Sequence, residues 1–299
     1  MKQTEISLIE WQQRFATEEA CIEHLHQLRW ADGFTCPHCG GKHHYVIKGY
    51  DLHECSACRK KTSVTAGTLF HSTKIPLVKW FTALYFVAVD KGGISAVRLA
   101  QYIQVSWKTA NLMLNKLRVA MSDRDAQYQL TGTVELDGAY VGGKDTGGKR
   151  GKGSRTKTTV LVACEDREKG AGFLKMQVVS SENAQESRSF CEQAIEPASV
   201  LKVDGAIAYR GLASDYSVVS QVCSGGESGS WLPWVHIAIA NLKRFLLGTF
   251  HGVSGERLQG YLDEFCYRFN RRWWLLEIPE RLLFSALNCM PVKRSALLL

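Results

Sequence analysis

Two pairs of cysteines constrain this chain more than any other feature in it. Cys36 and Cys39 are separated by two residues, as are Cys55 and Cys58, and fifteen residues lie between the pairs. Each pair sets two thiolates on one tight turn, and two such turns close a tetrahedron around Zn2+. Pro37 presets a backbone angle in the first turn, and Gly40-Gly41 lets the chain reverse after it. No position is left open for substrate, so the spacing predicts a structural zinc ribbon. The segment from Tyr45 to Tyr50 reads as its short strand and turn. His38, His43, His44 and His53 stand nearby, and one of them could replace a thiolate. Four unliganded buried thiols are the poorer alternative, because so small and polar a segment has no core of its own.

The other six of the ten cysteines, Cys21, Cys164, Cys191, Cys223, Cys266 and Cys289, are scattered singly and read as small buried apolar residues. Glu5 and Glu10 near the N-terminus, with no apolar run beside them, predict a cytoplasmic, reducing setting and exclude a disulfide framework. The longest apolar stretch, Trp80 to Val89, has ten residues. A membrane helix needs about 20, so a membrane partner is not expected. The length of 299 residues predicts about two domains, or three if some are small. Lys and Arg number 37 against 29 Asp and Glu, and the net charge of +8 favours a polyanionic partner, chiefly nucleic acid.

After Phe70 the pattern turns helical. Pro76 to Val89 opens on a proline and stops near Gly92-Gly93; Ser95 caps a second helix, Ala96 to Ile103. Gln104-Val105-Ser106 is a short turn, and Ser106 caps a third helix, Trp107 to Met121. Helix, three-residue turn, helix is the helix-turn-helix arrangement, whose second member enters the major groove of DNA. Trp107, Lys108, Asn111, Asn115 and Lys116 are then the groove- or phosphate-facing residues, and a plain helical bundle is the competing reading.

From Thr131 the period becomes two, predicting strands Thr133 to Val141, Thr158 to Cys164, Phe173 to Val179, Ser199 to Asp204 and Tyr216 to Val222. A helix capped near Asn183 and a long amphipathic one over Trp234 to Leu247 complete a mixed sheet with covering helices. Asp137 lies inside the first strand and Asp204 ends the fourth, each followed by glycine. Carboxylates in apolar strands are costly unless paired or metal-bound, and two on adjacent strands repel unless a divalent cation sits between them. Such a pair makes a Mg2+ site for phosphoryl transfer; a strand-ending Asp-Gly turn is the bland alternative at Asp204. Glu135 shares the face of Asp137 and reads as a solvent-facing charge or an outer helper of the pair. Gly142 to Arg155 is flexible and basic, with Lys144, Lys149, Arg150, Lys152 and Arg155 suited to backbone phosphates. Arg268, Arg271 and Arg272 beside Trp273-Trp274 form another basic cluster, whose tryptophans read as core.

Taken in order, these blocks resemble one family. Cys36-Pro-His-Cys39, Cys55-Ser-Ala-Cys58, Thr62 to Phe70, Glu135-Leu-Asp-Gly-Ala-Tyr-Val-Gly-Gly-Lys144, Lys202-Val-Asp-Gly205, His236 to Ser254 and Tyr261 to Arg271 are similar to bacterial insertion-sequence transposases. Members of that family join a zinc ribbon and a helix-turn-helix to an ISXO-like, DDE-type catalytic domain. The resemblance implies an α/β catalytic domain of ribonuclease-H-like type. It divides the chain into an N-terminal helix and ribbon at 1–72, a helix-turn-helix at 73–128 and the catalytic domain at 129–299. It further implies metal-dependent cleavage and joining of element ends, with Asp137 and Asp204 holding Mg2+ or Mn2+.

A DDE enzyme carries glutamate on the late helix with a basic residue seven positions on; here Lys243 is the basic residue and His236 stands seven before it. Seven residues are about two helical turns, so geometry favours His236, while the preference of Mg2+ for oxygen favours Asn241. The partners implied are element-end and target DNA, and synapsis of two ends implies a homodimer or larger assembly. The competing function is a catalytically inactive DNA-binding regulator of the same architecture.

Overall fold

Several helix starts in this chain coincide with Ser, Thr or Asn residues. The computed structural model describes residues 6–47, 49, 51–142, 157–222 and 228–297. Ser7 and Glu10 form a reciprocal capping box at the start of α1 (Leu8–Arg14), and Thr17 caps α2 (Glu18–Arg29). A three-stranded antiparallel ribbon follows, β1 (His44–Ile47), β2 (Leu52–Cys55) and β3 (Lys61–Ser63). Pro76 precedes α3 (Leu77–Val89), whose first N–H groups bond the carboxylate of Glu18. Ser95 caps α4 (Ala96–Ile103) and Ser106 caps α5 (Trp107–Asp125), so a three-residue turn joins these two helices. Gln104 in that turn takes the left-handed conformation, φ 51°.

The second half is a sheet of β4 (Thr133–Val141), β5 (Thr158–Asp166), β6 (Ala171–Val179), β7 (Val200–Asp204) and β8 (Ser217–Gln221). Its order is β6-β5-β4-β7-β8; the first three strands are antiparallel, while β7 and β8 continue parallel to β4. That mixed topology, with helices on both faces, is the mixed sheet with covering helices expected from the sequence. The helix α6 (Ala184–Ala194) and the 3-10 turn Ile207–Ser214 cover one face. A short α7 (Ser228–Trp231) leads into α8 (Pro233–Phe250), which covers the other face with α9 (Gly255–Asn270). Residues on β4 alternate between these cores: Val134 and Leu136 face α6, whereas Ala139 and Val141 face α8 and α9.

Two features tie the halves together. Along α5 and α9, Arg118 Nε donates to Glu264 Oε2 at 2.9 Å with both side chains almost wholly buried, and the guanidinium lies 3.7 Å over Tyr261. Arg271 pairs with Asp125 at 2.8 Å, and the Asn270 side chain bonds both the N–H and the carbonyl of Leu174 on β6. Buried charges of this kind are tolerated only when partnered. The last helix, α10 (Ile278–Asn288), then leaves the sheet. Leu282, Leu283 and Ala286 enter the core built by α1, α2, α3 and α5, which also contains Cys36 and Cys55 of the ribbon. No helix among the described residues is long and apolar enough to cross a membrane.

Candidate active site

The register that pairs Leu136 with Val203 sets Asp137 and Asp204 one step further along neighbouring parallel strands. Leu201 and Val203 point into the α6 core, so Lys202 and Asp204 share the α8 face with Glu135 and Asp137. Asp137 is largely enclosed; its Oδ1 accepts the N–H of Gly138 at 2.7 Å, and its Oδ2 lies 3.7 Å from His236 Nε2 on α8. Asp204 Oδ1 accepts the N–H of Ala206 at 2.9 Å, which turns the chain at the strand end. Burial pushes the Asp137 carboxyl up to about 6; the Gly138 N–H and His236 oppose this, and the carboxylates of Asp204 and Glu182 reinforce it. His236 Nε2 is itself buried without a hydrogen-bond partner. An orphaned imidazole nitrogen facing a destabilised carboxylate is a donor set suited to a cation.

Asn241 is not part of this arrangement. It lines a groove on α8 with Arg244 and Phe245, opposite Lys91 and Gly92 at the end of α3. Lys243 is exposed on the same helix as His236.

Glu135 is fully buried, which overturns the expectation of a solvent-facing charge. Its Oε2 accepts the N–H of Val235 at 2.8 Å, in the first turn of α8. Leu232 and Pro233, at that helix start, provide no side-chain cap.

Glu182 was not anticipated. On the α6 side of β4 its two carboxylate oxygens accept the hydroxyls of Tyr140 at 2.9 Å and Tyr209 at 3.2 Å, and it lies against Gly138. A Cβ added at Gly138 would meet its carboxyl carbon at 2.8 Å. Gly138→Ala is therefore expected to dislodge Glu182 from its tyrosines at a cost of about 1–3 kcal/mol. An unchanged denaturant midpoint for that variant would rule the close seat out.

The four ribbon cysteines converge. Cys36 Sγ lies 3.7 Å from Cys58 Sγ, Cys39 Sγ lies 3.6 Å from Cys55 Sγ, and all four sulfurs are within 4.8 Å of one another. A tetrahedron of Zn–S bonds of about 2.3 Å has edges of roughly 3.8 Å, so these thiolates fit zinc. The neighbouring histidines are not in the cluster; His53 and His44 pack instead with Phe34.

On α5, Trp107 is 50% exposed and Lys108 is exposed, with Asn111 half-buried. Asn115, also half-buried, donates to the Asn111 carbonyl at 2.9 Å and accepts from Arg118, whereas Lys116 turns away from the expected groove face, its ammonium donating to the Leu69 carbonyl at 3.3 Å. Lys144, Lys149, Arg150, Lys152 and Arg155 lie outside the described residues. Arg268 and Arg271 are buried in ion pairs with Glu264 and Asp125, whereas Trp273 and Trp274 are 49% and 40% exposed, contrary to the core reading.

Comparison with known proteins places these pieces together. Residues 129–270 match the family model described as an ISXO2-like transposase domain, IS1595 type, and residues 16–61 match the corresponding transposase zinc-ribbon domain. An uncharacterized protein in transposable element ISH50 of Halobacterium salinarum is 28% identical over 276 residues, 85% of this chain and 91% of that one. Among solved structures, the Mos1 transposase paired-end complex with left transposon end is similar at 14% identity and a TM-score of 0.31, over 70% of this chain and 78% of that one. A pre-cleavage Mos1 transpososome is similar at 13% identity and a TM-score of 0.28, over 67% and 75% of the two chains.

Proposed function

We propose that this chain is a transposase of the IS1595 type, whose domain models match residues 129–270 and 16–61, and that it binds the terminal inverted repeats of its insertion sequence and catalyses their metal-dependent cleavage and strand transfer. The observation that carries the reading is the side-by-side placement of Asp137 and Asp204 on one face of adjacent parallel strands, with His236 Nε2 3.7 Å from Asp137. Asp137 and Asp204 would hold Mg2+ or Mn2+, with His236 as the third donor. When bound, the cations activate the attacking oxygen and stabilise the leaving one.

The remaining roles fall to the protein. Gly138 N–H and Ala206 N–H each occupy one oxygen of an aspartate, fixing both carboxylates before substrate arrives. Lys243, about two turns along α8 from His236, neutralises charge on the phosphate near the scissile bond. The exposed start of α5, with Trp107 and Lys108 beside Asn111, supplies the end of the helix-turn-helix that meets DNA. The functional division 1–72, 73–128 and 129–299 follows, and bringing two DNA ends together calls for a homodimer or larger assembly.

The test is cleavage of labelled inverted-repeat DNA with Mg2+ or Mn2+. Asp204→Asn is expected to lose about 10^3-fold or more in rate, because the metals supply several kcal/mol of transition-state stabilisation. DNA-end affinity in a gel shift should stay within about 3-fold, since metal ligation and end binding use different residues. His236→Ala should lose about 10^2-fold and Asn241→Ala little, the size of loss seen when one stabilising group is removed. Full activity in Asp204→Asn would exclude the two-aspartate centre. End binding by the wild type without any nicking would instead identify a DNA-binding regulator.

A further inference from the structure

We propose that Glu135 is a positioning residue for His236: reaching out from β4, it fastens the first turn of α8 and so holds the imidazole on Asp137. This rests on the catalytic reading of His236 above. The first turn of a helix has N–H groups with no partner inside the helix, and α8 brings no capping side chain of its own. Glu135 serves them from the sheet. Its Oε2 accepts from Val235 at 2.8 Å. The next residue is His236.

Glu135 and Asp137 are two residues apart on one face of β4, so neighbouring positions on a rigid strand hold neighbouring positions on the helix. Two further contacts complete the tether. Lys202 on β7 lies 3.8 Å from Glu135 Oε1 and donates to Asp166 Oδ2 at 3.0 Å, and Asp166 Oδ1 accepts the indole N–H of Trp234 at 3.1 Å. Trp231, just before the helix, donates its indole N–H to the Val203 carbonyl at 2.9 Å. Strands β4, β5 and β7 therefore each hold one point at the start of α8. A wholly buried carboxylate is an expensive way to fill apolar space, and a methionine would serve packing alone. What the charge adds is a fixed registry of helix on strand, where an error of about 1 Å would take His236 off the site.

The experiment uses the full chain, with Glu135→Ala, Glu135→Gln, His236→Ala and the double variant Glu135→Ala/His236→Ala. Two quantities are measured: Mn2+ affinity by calorimetry without DNA, and single-turnover cleavage of the element end. Outer groups that orient ligands typically contribute about 10–100-fold, and Glu135→Ala is expected to lose that much in both. Glu135→Gln, which keeps an oxygen for the Val235 N–H, should recover roughly 10-fold of the loss, within the same range. In the His236→Ala background Glu135→Ala should cost less than about 3-fold, because a residue acting through another is non-additive with it. A purely structural residue would lower the melting temperature yet add its full cost in that background, and that result overturns the proposal. Wild-type Mn2+ affinity and cleavage in Glu135→Ala would overturn it equally. If Glu135→Ala fails to fold, Glu135→Gln and Lys202→Met carry the same cycle. If the wild type does not cleave, the transposase reading fails, while the Mn2+ cycle still decides the tether.

Discussion

Asp137→Asn is expected to abolish cleavage and, in the absence of metal, to make the protein more stable. The two effects have one cause. Burial, with Asp204 and Glu182 close by, raises the Asp137 carboxyl from its ordinary 3.8 to about 6. A carboxylate whose folded pKa lies above its unfolded value binds protons more tightly in the folded state. It therefore destabilises the metal-free fold above about pH 6, and that penalty is relieved as pH falls from about 6 toward 4. At about 1.4 kcal/mol per unit, the penalty at neutral pH is on the order of 2–3 kcal/mol. Asparagine removes it. Urea unfolding of the metal-free proteins at about pH 7.5 and about pH 5 should show the variant ahead by the full amount at the higher pH and by roughly half of it at the lower. Mn2+ should stabilise the wild type and not the variant, because a ligand that binds only the folded form adds stability by mass action. A variant less stable than the wild type at both pH values would mean that Asp137 is a structural carboxylate.

Zinc removal is expected to have the second large effect, and to spread beyond the ribbon. Structural zinc sites contribute apparent binding energies of about 10–16 kcal/mol to folding. Here Cys36 and Cys55 belong to the same buried cluster as Phe81 of α3 and Leu282 of α10. Chelation or Cys55→Ser should therefore lower the helical circular-dichroism signal and melt the N-terminal core. One zinc per chain should be released, quantified with a colorimetric chelator. If the chelated protein kept its melting curve, the ribbon would be an appendage and the shared core would not carry its stability.

How much of this could be read from residue order differs between elements for physical reasons. Strands β4 and β7 were legible because their apolar residues recur at a period of two, with Asp137 inside one strand and Asp204 at the end of the other. Helices α4 and α5 were legible because Ser95 and Ser106 stand where caps belong. Glu135 was misread because a period of two assigns a face without saying what covers it. The missing cap at Leu232-Pro233 was the available signal that some distant acceptor must serve α8. Lys116, Arg268 and Arg271 were misread for a related reason: a long cationic side chain looks solvent-bound until its partner on another element is known. Glu264 and Arg268 on α9 and Arg271 at its C-terminal cap follow at helical spacing, a charged stripe that meets Arg118 and Asp125 on α5. Glu182 had no local pattern at all; only the bare backbone of Gly138 makes room for it.

The return of α10 into the N-terminal core bears on how the molecule is made. On a ribosome, the sheet and its covering helices α8 and α9 are complete once residue 270 has emerged, whereas the core around α3 and α5 waits for Leu282, Leu283 and Ala286. At about 5–20 residues per second, roughly 10–30 s pass between the synthesis of α5 and that of α10. Through that interval an apolar groove on the first-made half stays open. The part of the chain that is translated first is thus the last to mature.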